Sequence, residues 1–230
     1  MQTRAVEDYL KTIHEFARTG DRVTTSAIAE RLGVSAASVT GMVKKLADGR
    51  LVEHEPYRGV VLTTSGRRIA VETIRHHRLV ETYLHEALGV PWDQLHDEAE
   101  RWEHVLSEDL EARMDAALGH PEFDPHGAPI PTAELELAEP EWPPMARLEE
   151  GQSAVVAEVS DHDAALLRYV GGLGLYPGTP FSVIVGPPYD GGPLTVRLLD
   201  GPAAGAEHAV GERAAAHVFV RDVMGQGDER

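Results

Sequence analysis

The chain has 230 residues and no cysteine. This absence excludes disulfides, thiolate zinc sites and cysteine nucleophiles, so any metal ion must be held by nitrogen and oxygen atoms. No apolar run approaches the roughly 18 residues that cross a bilayer. The opening segment MQTRAVEDYLKTIHEF carries early charge, unlike a signal peptide. We therefore expect a cytoplasmic protein with no membrane partner.

Positive charge is scarce, with 21 Lys and Arg against 38 Asp and Glu and a formal net charge of −17. The scarcity is uneven, because residues 1–75 carry 12 Lys and Arg against 9 Asp and Glu, whereas the remainder carries 9 against 29. Such asymmetry indicates different roles for the two parts. The basic part could approach phosphates, while the acidic part binds cations or keeps the protein in solution.

The spacing of apolar residues predicts a winged helix-turn-helix at the start of the chain. A first helix is followed by two short helices joined at LGVS, and then by β-branched runs on either side of PYRG, which indicate a hairpin. Ser35 is placed to cap the second helix of the pair. We assign this DNA-binding domain to residues 1–72.

The rest of the chain predicts a helical domain and a small β domain, so the fold class is mainly α with a β C-terminal domain. Residues 65–118 have helical periodicity, broken at LGVPWD. Prolines are dense between residues 120 and 145, which we interpret as a linker. Short β-prone segments follow, as in a small barrel. We assign a metal-binding and dimerisation domain to 73–140 and an SH3-like β-barrel to 145–225.

The stretch HDEAERWEH holds two histidines and four carboxylates in nine positions. On a helix, His96, Glu100, Glu103 and His104 fall within roughly 100° of arc, while Trp102 shares another side that would face a core. The stretch is thus either a solvated acidic face or a set of metal ligands. His77 and Glu81 also share a helix face, although such a pair is more often a surface hydrogen bond. We interpret His76 as a surface residue.

The second helix of the helix-turn-helix carries the candidate contacts to DNA. Small residues at its start would let it lie deep in a major groove. Cations further along, and on the wing, suit phosphates. A winged helix used only for protein contacts is the alternative. The candidate DNA-binding residues are Ser35, Ala36, Ser38, Thr40, Lys44, Lys45 and Arg58, with Arg67 and Arg68 as further cations.

The order of several motifs closely resembles the diphtheria toxin repressor family of metal-dependent transcription regulators. These motifs are EDYLKTIHEF, VTTSAIAERLGVSAASVTGMVKKLADGRLV, YRGVVLTTSGRRIA, HHRLVETYL, HDEAERWEH and DPHGAPIP. The resemblance is strong over residues 3–131, and GLYPGTPFSVIV is similar to the SH3-like (FeoA-like) barrel of longer members. It implies a regulatory metal site and an ancillary one.

The resemblance implies roles for eight residues. Those of the regulatory site are Asp8, Glu100, Glu103 and His104. Those of the ancillary site are His77, Glu81, His96 and a carboxylate from the barrel, for which Asp163 is the first choice and Asp161 the competitor. Taken alone, Asp8 would be an ordinary exposed carboxylate near a helix N-terminus.

The expected effector is Mn²⁺. Iron-responsive members of the family carry methionine where Asp8 stands and cysteine where Glu100 stands, whereas manganese-responsive members carry carboxylates at both positions. Oxygen and imidazole ligands also suit a hard ion such as Mn²⁺, although affinity order alone favours Zn²⁺ or Cu²⁺. Some short manganese regulators place a second glutamate where Lys11 stands, so a binuclear site of that kind is not expected.

The predicted function is that of a manganese-dependent repressor, which binds palindromic operator DNA as a metal-activated homodimer and controls metal homeostasis. No catalysis and no small organic substrate are expected. An iron-dependent repressor of the same fold is the nearest alternative, and other divalent transition metals should substitute in vitro. A metallohydrolase is a more remote alternative, since the histidine and glutamate set lacks an evident general base beside an open metal position.

Overall fold

The computed structural model of the protein describes residues 3–17, 22–55, 58–186 and 192–225. The chain divides into two compact units, Met1–Val80 with Ala99–Glu122 and Ile130–Glu139, and Glu81–Glu98 with Phe123–Pro129 and Pro140–Arg230. The α-helices of the described ranges are α1 (Arg4–Ala17), α2 (Thr25–Leu32), α3 (Ala36–Asp48), α4 (Thr64–Leu88), α5 (Leu95–Trp102), α6 (Glu108–Ala117), α7 (Ala164–Gly172) and α8 (Glu212–Ala215). The strands are β1 (Val52–Glu55), β2 (Gly59–Leu62), β3 (Ser153–Val159), β4 (Pro180–Val185), β5 (Leu194–Leu198), β6 (Glu207–Val210) and β7 (Val218–Met224).

The first unit contains the predicted winged helix-turn-helix, which is confirmed. The Thr24 side chain caps α2 and the Ser35 side chain caps α3, each by accepting a backbone N–H in the first turn. Between the two helices Gly33 takes a left-handed φ of 64°, which ends α2 and turns the chain. Strands β1 and β2 pair antiparallel. Two residues of the predicted PYRG turn, Pro56 and Tyr57, lie outside the described residues.

A single apolar core holds these elements together. It includes Leu10 and Ile13 from α1, Ile28 from α2 and Val43 from α3, all fully buried. Helix α4 begins tight against the turn between α3 and β1, because a Cβ added at Gly66 would lie 2.0 Å from the Leu51 carbonyl oxygen. The start of α4 is therefore fixed to the winged helix.

The second unit has a five-stranded antiparallel sheet in the order β6-β5-β4-β3-β7. Its core contains the inward residues of these strands together with Leu167 and Val170 of α7. The predicted β domain is confirmed. None of the helices in the described ranges is both long and apolar enough to cross a membrane.

The proline-dense segment is more structured than the predicted linker between residues 120 and 145. Within the second unit, the Asp124 Oδ1 accepts hydrogen bonds from the backbone N–H groups of His126 (2.8 Å) and Ala128 (3.0 Å). Gly127 packs so closely against β3 that an added Cβ would lie 2.0 Å from the Ala157 carbonyl oxygen. Proline density thus marks a rigid loop here, and the prediction of a linker was wrong for residues 123–129.

Candidate metal centres and nucleic-acid interface

One face of α3 is free of core contacts within the first unit. Val39, Val43 and Leu46 are buried on one side of the helix. The residues predicted to contact DNA are all exposed: Ser35, Ala36, Ser38, Thr40, Lys44, Lys45 and Arg58. The arrangement suits a helix that inserts its outer face into a groove.

Several polar groups of this surface already have partners. The Thr40 hydroxyl donates to the Ala36 carbonyl at 2.9 Å, and Arg58 Nη1 lies 3.1 Å from the Glu55 carboxylate. Arg67 likewise pairs with Glu139 at 3.2 Å. Exposed ion pairs of this kind contribute little to stability.

The four predicted ligands of the regulatory site come together in the first unit. Asp8 lies on α1, Glu100 on α5, and Glu103 and His104 in the turn that follows α5. Each offers a ligand atom, and these atoms all lie within 4.8 Å of one another. His104 Nε2 is 2.8 Å from Asp8 Oδ1 and 3.4 Å from Glu103 Oε1. The cluster can hold a divalent cation with oxygen and imidazole ligands.

The helix predicted over HDEAERWEH ends earlier than expected, at Trp102. Glu103 is almost fully buried, whereas Trp102 is 40% exposed rather than packed in a core. The expectation that Trp102 faces a core was therefore wrong for the first unit taken by itself.

Glu7 is a residue of this site that the sequence did not indicate. Its Oε2 lies 2.6 Å from His104 Nδ1, on the opposite side of the ring from Asp8. Burial lowers the pKa of His104, but hydrogen bonds to Asp8 and Glu7 outweigh it and raise this pKa above its usual value. A carboxylate on the far nitrogen is the usual way to orient a metal-ligating histidine.

Lys11 also lies at the regulatory cluster, 6% exposed. Its Nζ is 2.8 Å from Glu100 Oε1 and 2.8 Å from Glu103 Oε2. His77, predicted for the ancillary site, contacts Glu103 through Nδ1, and this nitrogen is 3.0 Å from Lys11 Nζ. Burial opposes the charge on Lys11, but Glu103 and Glu100 outweigh it and raise its pKa. Burial would raise the pKa of Glu103, yet His77 and Lys11 lower it to about 2.

His76 is not the surface residue that we predicted. It is 9% exposed, and its Nε2 lies 2.9 Å from Glu111 Oε2 while Nδ1 lies 3.1 Å from the Glu103 carbonyl oxygen. Burial lowers the pKa of His76, but the Glu111 carboxylate outweighs it and raises this pKa. His76 therefore ties α4 to α6 and to the turn that carries the regulatory ligands.

Within the second unit, Glu81, His96 and Asp161 form another cluster of ligand atoms. His96 Nδ1 lies 3.3 Å from Asp161 Oδ2. Burial raises the pKa of Asp161, but neighbouring histidines, His162 foremost, hold it well below its usual range. Helix α4 places Glu81 one turn after His77.

The preference for Asp163 over Asp161 requires correction. The Asp163 side chain is exposed and caps α7, with Oδ1 accepting from Ala165 N at 2.9 Å and Leu166 N at 3.2 Å. A carboxylate at a helix N-cap is held by these bonds, and among the described residues the cluster contains Asp161 and not Asp163. In the motif SDHDAALLRYV the second aspartate starts the helix, which leaves the first for the cluster.

His126 and Asp124 are further candidates that the sequence left unassigned. Glu81, Asp124 and His126 form a buried cluster of ligand atoms in the second unit. His126 Nε2 donates to the Trp92 carbonyl at 3.0 Å, and Nδ1 lies 3.6 Å from Glu81 Oε1. Burial lowers the pKa of His126, but Glu81 outweighs it and raises this pKa to about 9. The only sequence signal was the motif DPHGAPIP.

Comparison with known proteins identifies the family. Residues 1–60 match the N-terminal DNA binding domain of the iron dependent repressors, residues 63–132 match their metal binding and dimerisation domain, and residues 144–222 match the FeoA domain. A solved structure described as a manganese-dependent transcriptional repressor in complex with manganese is 39% identical. It superposes with a TM-score of 0.86 over 94% of this chain and 98% of the other. The chain belongs to the iron-dependent repressor family, also called the diphtheria toxin repressor family.

Other members of the family differ in the metal that their names record. The iron-dependent repressor IdeR of Mycobacterium leprae is 41% identical over 125 residues, and the diphtheria toxin repressor of Corynebacterium diphtheriae is 38% identical over 125. These matches cover 54% of this chain and, respectively, 54% and 55% of the two relatives, so the chain spans about half the length of the curated relatives it matches. The manganese regulator SloR is 30% identical, with a TM-score of 0.76 over 94% of this chain and 97% of SloR. The family consists of DNA-binding repressors rather than enzymes, and its metal varies.

Proposed function

We propose that this repressor is activated by Mn²⁺ and binds a palindromic operator as a homodimer to control metal homeostasis. The observation that carries the choice of metal is the regulatory cluster, in which three carboxylates and one imidazole converge without any sulfur ligand. Mn²⁺ is a hard ion that gains little from sulfur, whereas later transition metals gain more. The cellular location expected for an operator-binding protein of this kind is the cytoplasm.

A metal ion at this cluster would connect the DNA-binding elements to the dimerisation helices. Asp8 belongs to α1, which packs against α2 and β2 of the winged helix. Glu100, Glu103 and His104 belong to α5 and the turn after it. The bound cation supplies positive charge that these carboxylates share, and so reduces the motion that operator binding would otherwise have to remove. Metal and operator then strengthen each other's binding by the same factor.

The proposed ancillary site uses Glu81, His96 and Asp161, with His126 as an added ligand. Asp161 replaces Asp163 because of the contacts already described. His126 suits the role because its Nε2–H is donated to a carbonyl, which leaves Nδ1 for the metal once the proton there is displaced. His77 stays a predicted ligand of this site on the family resemblance alone.

The proposed dimer rests on exposed apolar side chains in the first unit. Trp102, Val105 and Leu110 are 40%, 80% and 49% exposed. Large apolar groups clustered in sequence around α5 and α6 favour an interface with a second copy of the chain. The dimer would present two α3 helices to the two halves of a palindrome.

Fluorescence anisotropy on the protein's own promoter DNA tests this proposal. Metal-free protein is titrated anaerobically with Mn²⁺, Fe²⁺, Co²⁺ and Zn²⁺ in turn, and EDTA is added to reverse the effect. We expect Mn²⁺ to activate operator binding, and H104A to abolish activation because the site loses its only nitrogen ligand. Activation by Fe²⁺ at lower free concentration than Mn²⁺ would instead identify an iron-dependent repressor.

A further inference from the structure

Trp92 contacts His126 in three ways within the second unit. The indole Nε1–H of Trp92 donates to the carbonyl of Pro125, the residue before His126, at 3.0 Å. The Trp92 carbonyl oxygen lies 3.0 Å from His126 Nε2. The two rings are also close to each other, with their centroids 5.3 Å apart. Trp92 therefore holds both the backbone before His126 and one edge of its ring.

These contacts decide which ring nitrogen of His126 is available to a metal ion. A carbonyl oxygen can only accept a hydrogen bond, so Nε2 carries a proton. The other nitrogen, Nδ1, lies 3.6 Å from Glu81 Oε1 in a cluster of ligand atoms that also includes Asp124. A metal-ligating histidine usually donates its second N–H to a carbonyl or carboxylate, which fixes the orientation of the ring. The Trp92 carbonyl is therefore the acceptor that leaves Nδ1 to face the cluster.

The position of Trp92 is set in turn by α7 and the turn after it. The Trp92 and Tyr176 ring centroids lie 4.9 Å apart, and Trp92 packs against the core of the β domain. Gly171 on α7 leaves room for both rings, because an added Cβ would lie 2.9 Å from Tyr176 Oη and 3.3 Å from Trp92 Cζ3. A Cβ added at the neighbouring Gly172 would meet nothing within 4 Å. A methyl group at position 171 would therefore press on Trp92, whereas one at position 172 would not.

We propose that Trp92 is a positioning residue for the ancillary metal site, which holds His126 so that Nδ1 faces Glu81. This inference rests on the proposed function of that cluster as a metal site. The indole of Trp92 offers only an N–H donor and cannot itself bind a cation through nitrogen, so it acts on the metal through His126. Because α7 positions Trp92, the packing of α7 and the affinity of the ancillary site are linked.

The test measures Mn²⁺ affinity at the ancillary site by calorimetric titration in the H104A background, in which the regulatory site lacks its only nitrogen ligand. W92F removes the indole N–H but keeps an aromatic ring. G171A leaves Trp92 and every proposed ligand in the chain, and G172A is its matched control. H126A, alone and combined with W92F, shows whether Trp92 acts through His126. Urea unfolding in EDTA reports whether each variant is folded.

We expect W92F to weaken Mn²⁺ binding at the ancillary site by roughly tenfold, as the loss of a group that orients a metal ligand does. G171A should weaken binding by a smaller factor, because the added methyl group shifts Trp92 without removing it. G172A should bind Mn²⁺ as the H104A parent does. In H126A, the further change W92F should have no effect, because the residue that Trp92 positions is absent.

Unchanged Mn²⁺ affinity in folded W92F would overturn the proposal. An equal loss from W92F with and without H126A would also overturn it, since that pattern indicates general damage to the fold. If W92F does not fold, G171A decides: weaker binding in G171A than in G172A supports the proposal, and equal binding overturns it. If the H104A parent binds no Mn²⁺, there is no ancillary site and the proposal falls. The proposed function fails separately, if the wild type shows no metal-dependent operator binding.

Discussion

His104 Nε2 lies 2.8 Å from Asp8 Oδ1, so this ion pair joins α1 to the turn after α5. The same nitrogen is the atom that would bind the metal. A proton and a metal ion therefore compete for Nε2, and the proton is favoured by two carboxylates, since Glu7 lies 2.6 Å from the other ring nitrogen.

Mn²⁺ binding at the regulatory site should weaken at lower pH. Asp8 and Glu7 outweigh burial and raise the pKa of His104, so the imidazole keeps its proton to higher pH than an ordinary histidine. Metal binding releases that proton below the raised pKa, and the affinity should fall by about tenfold for each pH unit there. Calorimetric titrations between about pH 6 and 8 measure this. E7Q should lower the pH at which the Mn²⁺ affinity begins to fall. If that pH were unchanged in E7Q, Glu7 would be excluded from this role.

The metal-free protein should lose stability as the pH rises above the pKa of an ordinary histidine. Glu81 raises the pKa of His126 from 6.5 to about 9, so protonation favours the folded state below pH 6.5, and this stabilisation disappears as the pH rises to about 9. The loss should amount to roughly 1–3 kcal/mol. Urea unfolding in EDTA between pH 6.5 and about 9 measures this loss in the free energy of unfolding. The pH dependence should be smaller in H126N. Equal pH dependence in both proteins would contradict the assignment.

Asp161 and Asp163 should respond differently to substitution. D161N removes a carboxylate that lies beside His96, and should weaken Mn²⁺ binding at the ancillary site by at least roughly tenfold. D163A should leave metal binding unchanged and lower the unfolding temperature, because α7 loses its cap. D163S restores a capping side chain and serves as the control. Weaker metal binding in D163A than in D161N would restore the original preference.

The exposed lysines of α3 should act on affinity rather than on sequence preference. K44A should reduce the slope of log affinity against log salt by about one unit, with little change in operator preference. Replacing Ser38 should alter preference instead, because it lies in the first turn of α3. Anisotropy titrations over a range of salt concentrations distinguish the two. If K44A kept the wild-type slope, Lys44 would not be one of the residues that contact phosphate.

Asp8 and Glu100 should set the choice of metal together. The double variant D8M/E100C supplies two sulfur ligands and removes two negative charges, which disfavours Mn²⁺ relative to Fe²⁺ and Co²⁺. It should need more Mn²⁺ for operator binding and respond to Fe²⁺ at lower concentrations than the parent. Each single variant should shift less. If the double variant keeps the parent's ranking of metals in anaerobic anisotropy assays, the proposed manganese specificity loses its main support.

The winged helix was predictable from the sequence because local signals carry it, and the regulatory cluster was predictable because the chain resembles a known family. Capping residues and apolar periodicity place α2 and α3, and the family resemblance places Asp8 beside His104. The contacts of Lys11 and the burial of His126 depend on chain segments far apart in sequence, so no periodicity could indicate them. The choice between Asp161 and Asp163 depended on where α7 begins, and helix boundaries are uncertain by a few residues when predicted from sequence.

The hydrogen bonds at the start of α3 have a consequence for how operator bases are read. The Ser35 hydroxyl accepts from the Ser38 backbone, and the Thr40 hydroxyl donates its proton to the Ala36 carbonyl. With Ala36 between them, the outer face offers methyl groups and few free donors, which favours contact with the C5-methyl groups of thymine. Operator DNA with deoxyuridine in place of thymidine at such positions would then bind more weakly, although every Watson–Crick hydrogen bond is kept.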